Sequence, residues 1–241
     1  VEPNMRIPND PDLSRIVMQV KGQNGSSIKL PNSGHQFVDS LDDSTAILTI
    51  DLKKTFPATE IEQNDNSYLE PSSICDSSDE AIIAIAESTI SSLNEDATDL
   101  DKAYALRSKV FDHIENKGLS TAFASASQTV RDQKGDCTEH GVLLCALLRS
   151  VGIPSRGVMG MVYAPVMKDN GIFGWHMWSQ ALIDGHWIDL DATLETHHSV
   201  GHVTTLTTSL SDDNLGSDMA SILGTLGNLE VKIIEIGNLE K

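Results

Sequence analysis

The period of the hydrophobic pattern changes along this chain, and each change marks out elements. Up to about residue 75, short β-like runs alternate with turn chemistry. Ile16-Val17-Met18-Gln19-Val20 and Ala46-Ile47-Leu48-Thr49-Ile50-Asp51-Leu52 are separated by Asn24-Gly25, Pro31-Asn32-Ser33-Gly34 and Asp42-Asp43. Short strands between turn signals predict a small β-rich, sandwich-like module over residues 1–75. His35 reads as one of its surface or turn residues. Pro71-Ser72-Ser73-Ile74-Cys75-Asp76-Ser77-Ser78 is linker chemistry, so the boundary falls here and a second domain runs over 76–241.

The second domain opens with a helical period. Ser78 is the expected N-cap of a helix whose stripe is Ile82, Ile83, Ala86, Ile90 and Leu93. A second helix starts near Thr98, with Asp101 completing a capping box and Ala103, Leu106, Val110 and Ile114 on one face. Both read as packing helices without chemistry. Residues 121–134 predict a short helix and a loop. From Cys137 to Ser150 the apolar residues crowd every face, which places that helix in the middle of the domain. Gly152 and Pro154 end it.

After this helix the pattern returns to strands. Val158 to Tyr163 is one, with Gly157 and Gly160 read as close-packing positions. Two more, about 175–183 and 186–192, flank Asp184-Gly185, a strong two-residue hairpin signal. Thr204 to Ser209 carries no clear assignment, and Asp212-Asp213-Asn214 forms a turn. Met219 to Leu226 predicts a helix, and Leu229 to Ile236 a last strand completing the sheet of the second domain.

Composition adds limits. A chain of 241 residues with a net charge of −18 can bury a full core but repels phosphate backbones and anionic lipid, so no nucleic-acid or membrane-surface partner is expected. No apolar run is long enough to span a bilayer. The chain begins at Val1, which leaves room for an upstream signal peptide or anchor removed in processing, and with it an extracytoplasmic or tethered location. Three cysteines, Cys75, Cys137 and Cys145, make no disulfide framework. Cys75 sits in linker, and Cys145 among the apolar residues of the central helix.

Cys137 stands where that helix begins, so its thiolate would gain from the positive end of the helix dipole. Its backbone N–H is a candidate oxyanion donor. Register then selects two partners. With a two-residue loop, Ile183 pairs with His186 and paired residue numbers sum to 369. Trp178 then lies opposite Asp191, and His176 shares their face as a diagonal neighbour about 7–8 Å away at the backbone, within side-chain reach. A one-residue slip would turn Asp191 to the other face. Cys137, His176 and Asp191 are thus candidates for nucleophile, base and orienting carboxylate. Asp189, also on that face, is the alternative partner for His176. Trp175 and Trp178 are candidates for the substrate cleft; Gln128, Gln133 and Trp178 are candidates for a second oxyanion donor.

These motifs carry a resemblance. Gly135-Asp136-Cys137 with the helix ending Leu148-Arg149-Ser150-Val151-Gly152-Ile153-Pro154 resembles the cysteine motif of the transglutaminase-like superfamily. Trp175-His176-Met177-Trp178 resembles its histidine motif, and Trp187 followed by Asp191-Ala192-Thr193 its aspartate motif, with Ala192 where Pro is common. The resemblance covers about Ser78 to Thr193. It implies an α+β fold with a papain-like core, the cysteine helix packed on an antiparallel sheet bearing His and Asp, and a Cys-His-Asp triad that attacks amides of protein or peptide substrates to give a thioester. Family members include protein crosslinkers, and in bacteria many resemble thiol proteases or amidases. Hydrolysis is the expected resolution; crosslinking, or a binding module with a vestigial site, are the alternatives. Cys137, His140, His197, His198 and His202 match no zinc spacing and no calcium site is evident, so neither metal nor cofactor is expected.

Overall fold

In the computed structural model, described for residues 1–118, 124–166, 168–213, 217 and 228–237, the chain forms two four-stranded antiparallel sheets and five helices. The first half supplies β1 (Arg15–Gly22), β2 (Gln36–Asp42), β3 (Thr45–Asp51) and a one-turn helix α1 (Glu60–Gln63). Then follow α2 (Glu80–Ile90), α3 (Asp99–His113), α4 (Ala126–Asp132) and α5 (Cys137–Ser150). The chain closes with β4 (Ser155–Ala164), β5 (Ile172–Ile183), β6 (His186–Leu190), β7 (His202–Thr208) and β8 (Leu229–Gly237). The architecture is the α+β one that the resemblance implies. No helix among the described residues is long and apolar enough to cross a membrane.

Local chemistry sets the helix starts. Thr98 and Asp101 form the expected capping box at α3, each side chain taking the other's backbone N–H. At α2 the cap is Asp79 rather than Ser78: the Asp79 carboxylate accepts the Ala81 N–H at 2.8 Å. Helix α5 runs as predicted, buried from Glu139 to Arg149 along its whole circumference. Gly152, at φ 82°, takes the left-handed turn that ends it.

Helices α2, α3 and α4 surround α5, and Leu143, Leu144, Leu147 and Leu148 join Ile82, Leu106 and Val110 in one core. Met159, Met177 and Ala181 bring β4 and β5 to the same core. Further along these strands Met161 and Phe173 join Ile16, Met18, Leu48 and Ile50 in a second core. Side chains alternate along β5, so His176, Trp178 and Gln180 lie on the face opposite Met177 and Ala181. The N-terminal module meets that face through Ser33, whose hydroxyl donates to Gln180 Oε1 at 3.1 Å.

Three parts of the fold depart from the pattern. β8 pairs with β1, from Gly22↔Leu229 to Arg15↔Gly237, and so completes the N-terminal sheet rather than the sheet of the second domain. β2 and β7 were not resolved as strands by sequence. Both are edge strands whose partners, β3 and β4, supply the register, and β7 is a threonine-rich run without strong alternation. The helix expected over Met219 to Leu226 lies outside the described residues, as does Asn214.

Candidate active site

Cys137 is the first residue of α5, and its surroundings are built around the helix N-terminus. Asp136 caps the helix, accepting the Thr138 N–H at 2.8 Å, while Glu139 Oε2 takes the Asp136 N–H at 2.9 Å. The other oxygen of Glu139 accepts the Ala124 N–H at 3.2 Å, tying α5 to the segment before α4. Burial is the strongest influence on the Glu139 carboxyl and pushes its pKa up, against both backbone donors. Of the three thiols only Cys137 is not buried. Burial pushes Cys75 up to about 12 and raises Cys145 too, so both stay protonated and inert.

The hairpin keeps the register that the sequence requires. Ile183 pairs with His186 and Ser179 with Leu190, and Asp184 and Gly185 turn at φ 50° and 76°, as a type I′ turn needs. His176 Nε2 lies 2.7 Å from Asp191 Oδ2, and the Cys137 thiol is near enough to act electrostatically on the imidazole. With Nε2 donating to the carboxylate, Nδ1 is the nitrogen left for sulfur. Burial pulls the imidazole pKa down, but the hydrogen bond to Asp191 and the nearby Cys137 sulfur outweigh it and bring the pKa up to about 9.

Asp191 is fully buried and every acceptor position is used. Its Oδ1 takes the N–H of Thr193 at 2.7 Å and of Leu194 at 3.3 Å. Its Oδ2 takes two imidazoles, His176 and also His202, whose Nε2 is 3.1 Å away. The backbone N–H of Ser199 donates to His202 Nδ1 at 3.1 Å, which leaves Nε2 to carry the proton toward Asp191. Burial raises the Asp191 pKa, but the two imidazoles hold it far below the usual carboxylate range. Arg107 of α3 grips the Asp191 carbonyl at 2.6 Å and also the carbonyls of Leu194 and Glu195. Helix α3 therefore positions the site, a role its packing stripe does not announce.

Asp189, the alternative partner for His176, is committed elsewhere. Its Oδ1 accepts Trp178 Nε1 at 2.8 Å and Gln180 Nε2 at 2.7 Å, and its Oδ2 accepts the backbone N–H of His35 at 3.1 Å. Trp178 is 1% exposed, so it packs beneath the site instead of lining a cleft, and its indole N–H is not free for an oxyanion. Trp175 is 37% exposed and stays at the surface beside His176. Gln128 and Gln133 are both exposed, and Gln133 occupies a left-handed cap at the end of α4.

Sequence reasoning missed His202, Arg107, Glu139 and the approach of His35. Glu139 had a local signal, an acidic residue three positions after an N-cap aspartate. The other three, His202, Arg107 and His35, act across 11, 84 and 154 positions of chain and have none.

Comparison with known proteins agrees with this geometry at the level of fold and family. Residues 84–192 match the family model of the transglutaminase-like superfamily, a span that holds Cys137, His176 and Asp191. A crystal structure of a proposed cysteine protease from Cytophaga hutchinsonii superposes with a TM-score of 0.54 and 18% identity, covering 95% of this chain and 89% of that one. The periplasmic domain of TgpA from Pseudomonas aeruginosa aligns over 80% of this chain and 87% of its own, at 14% identity and a TM-score of 0.46. No curated protein sequence matches.

Proposed function

Starting from a chain whose residues 84–192 match the family model of the transglutaminase-like superfamily, we propose that it is a thiol acyl-transfer enzyme acting on amide bonds of protein or peptide substrates. The family and the fold support a cysteine-based acyl-transfer enzyme as a class. The observation that carries the finer reading is the 2.7 Å hydrogen bond of His176 to the buried Asp191 carboxylate, with Cys137 at the start of α5 close enough to raise the imidazole pKa.

In this reading Cys137 attacks the amide carbonyl as a thiolate, and the C–N bond breaks as His176 gives its proton to the departing nitrogen. The amide N–H of Cys137 has no intrahelical acceptor at the first turn and serves the oxyanion. Asp191 holds His176 in the tautomer with Nδ1 toward sulfur. Water then attacks the thioester, with His176 taking its proton, and releases the acid. Hydrolysis is favoured because water reaches any open thioester, whereas an amine must be bound and water kept out.

Peptide substrates incubated with and without a labelled amine test this. We expect free acid with little amine incorporated, and loss of turnover by about 10⁶ in Cys137→Ala. Amine incorporation outrunning hydrolysis would make the protein a crosslinker. Activity unchanged in Cys137→Ala would refute thiol chemistry.

A further inference from the structure

Next to the triad, three ligand-type side chains converge that the thiol chemistry does not use. We infer that His35, Asp189 and His198 form a binding site for a divalent transition metal of the zinc class. One ligand atom from each lies within 4.8 Å of the others. His198 Nε2 is 3.8 Å from Asp189 Oδ2, too long for a hydrogen bond and close to the separation of two ligands on one ion. The rings of His35 and His198 sit 5.2 Å apart between centroids.

The His198 side chain is 9% exposed, and its Nδ1 has no hydrogen-bond partner. A ring nitrogen buried without a partner is costly, and Nε2, the nitrogen that faces Asp189 Oδ2, is the one placed for a metal ion. Asp189 is buried too, and the groups that donate to it, the Trp178 indole, the Gln180 amide and the His35 backbone, are all neutral. A buried carboxylate held only by neutral donors is a natural cation ligand. The neighbouring set His176, Asp191 and His202 passes the same distance test. There, however, both imidazoles already hydrogen-bond Asp191 Oδ2.

Outer contacts orient the proposed ligands. His35 Nδ1 lies 2.8 Å from the Lys54 carbonyl, so it carries the proton and leaves the Nε2 lone pair for metal. Trp178 and Gln180 both hold Asp189 Oδ1, which turns Oδ2 toward the two histidines. Gly34, at φ 55°, brings the backbone against the same carboxylate, and a Cβ there would collide with Oδ2. Entry is through a cavity of about 580 Å³ that His198 lines with Ile7, Pro8, Leu194 and Val200. Three protein ligands of N and O type leave one position of a tetrahedral ion for water. Occupancy would pin the N-terminal module to the strand that leads into Asp191.

Zinc titration of the metal-stripped full chain by calorimetry tests this, in a Cys137→Ser background that removes the one thiol that is not buried. One equivalent should bind with micromolar affinity or better. His35→Ala and His198→Ala should each weaken it at least about tenfold, while His176→Ala leaves it unchanged. The histidine ring signals of the unmutated chain give a second readout independent of folding: those of His35 and His198 should shift with zinc, and that of His113 should not. Absence of uptake, binding indifferent to both substitutions, or binding lost in His176→Ala would each overturn the assignment.

Discussion

The two faces of the sheet β6-β5-β4-β7 are both buried, yet they are held by different forces. On one face Met159, Met177, Ala181 and Leu190 meet the leucines of α5 in a contiguous apolar core. Contacts of that kind are non-directional and proportional to area, and they tolerate substitution that conserves volume. On the other face Arg156, His176, Gln180, Asp189, Asp191 and His202 are buried together. Each is held by directed bonds: Arg156 Nε to Gln180 Oε1 at 2.9 Å, Gln180 to Asp189, and both imidazoles to Asp191. Arg156 also pairs with Glu62 and lies over the Trp187 ring at 3.9 Å. Buried charge costs desolvation and seldom returns it as stability. The apolar face stabilises the fold and the polar face fixes geometry, so damage to the two should read out differently.

The largest effect should come from the polar face. Asp191→Asn keeps the shape of the side chain but no longer selects the His176 tautomer, and kcat on a peptide amide should fall by about 10⁴. A loss of tenfold or less would mean that His176 is oriented by something else. Leu144→Ala cuts the apolar face at a residue with no exposure. It should cost about 2–5 kcal/mol in denaturant unfolding, with kcat retained in the folded fraction. A smaller effect is expected where the N-terminal module grips the edge of the sheet. Gln36 exchanges two hydrogen bonds with the backbone of Thr204, at 2.9 and 2.8 Å. Gln36→Ala leaves those buried groups unsatisfied and should cost about 1–3 kcal/mol. An unchanged midpoint would show that the module is only loosely docked.

The apolar face was legible in the sequence because it is local: a helix hydrophobic all round, a stop at Gly152, and capping residues within four positions. The pairing of His176 with Asp191 was legible because one tight turn fixes one register, and Ser179↔Leu190 and Ile183↔His186 obey the pairing that Asp184-Gly185 dictates. What surrounds that pair was not. His202 reaches Asp191 from β7, a strand with no clear alternation of its own, and Arg107 reaches it from a helix whose other buried residues are apolar. His35 looked like a turn residue because its neighbours are turn formers; only docking of the module brings it to Asp189. The same long-range pairing carries β8 back to β1, a choice between two sheets that alternation alone does not make.

The central claim is that His176 serves as the charged partner of Cys137. With its pKa raised to about 9, the imidazolium's contribution to stability is complete below the unfolded value of about 6.5 and disappears as pH rises through 9. Over that range it can support a thiolate. The most direct measurement is the alkylation rate of Cys137 against pH, in the parent and in His176→Ala. The account predicts a parent thiol that reacts rapidly well below the free-cysteine value of about 8.5 and a mutant whose profile moves back to it. A slow thiol titrating near 8.5 in both proteins would contradict the pair and turn attention to a binding role for the fold.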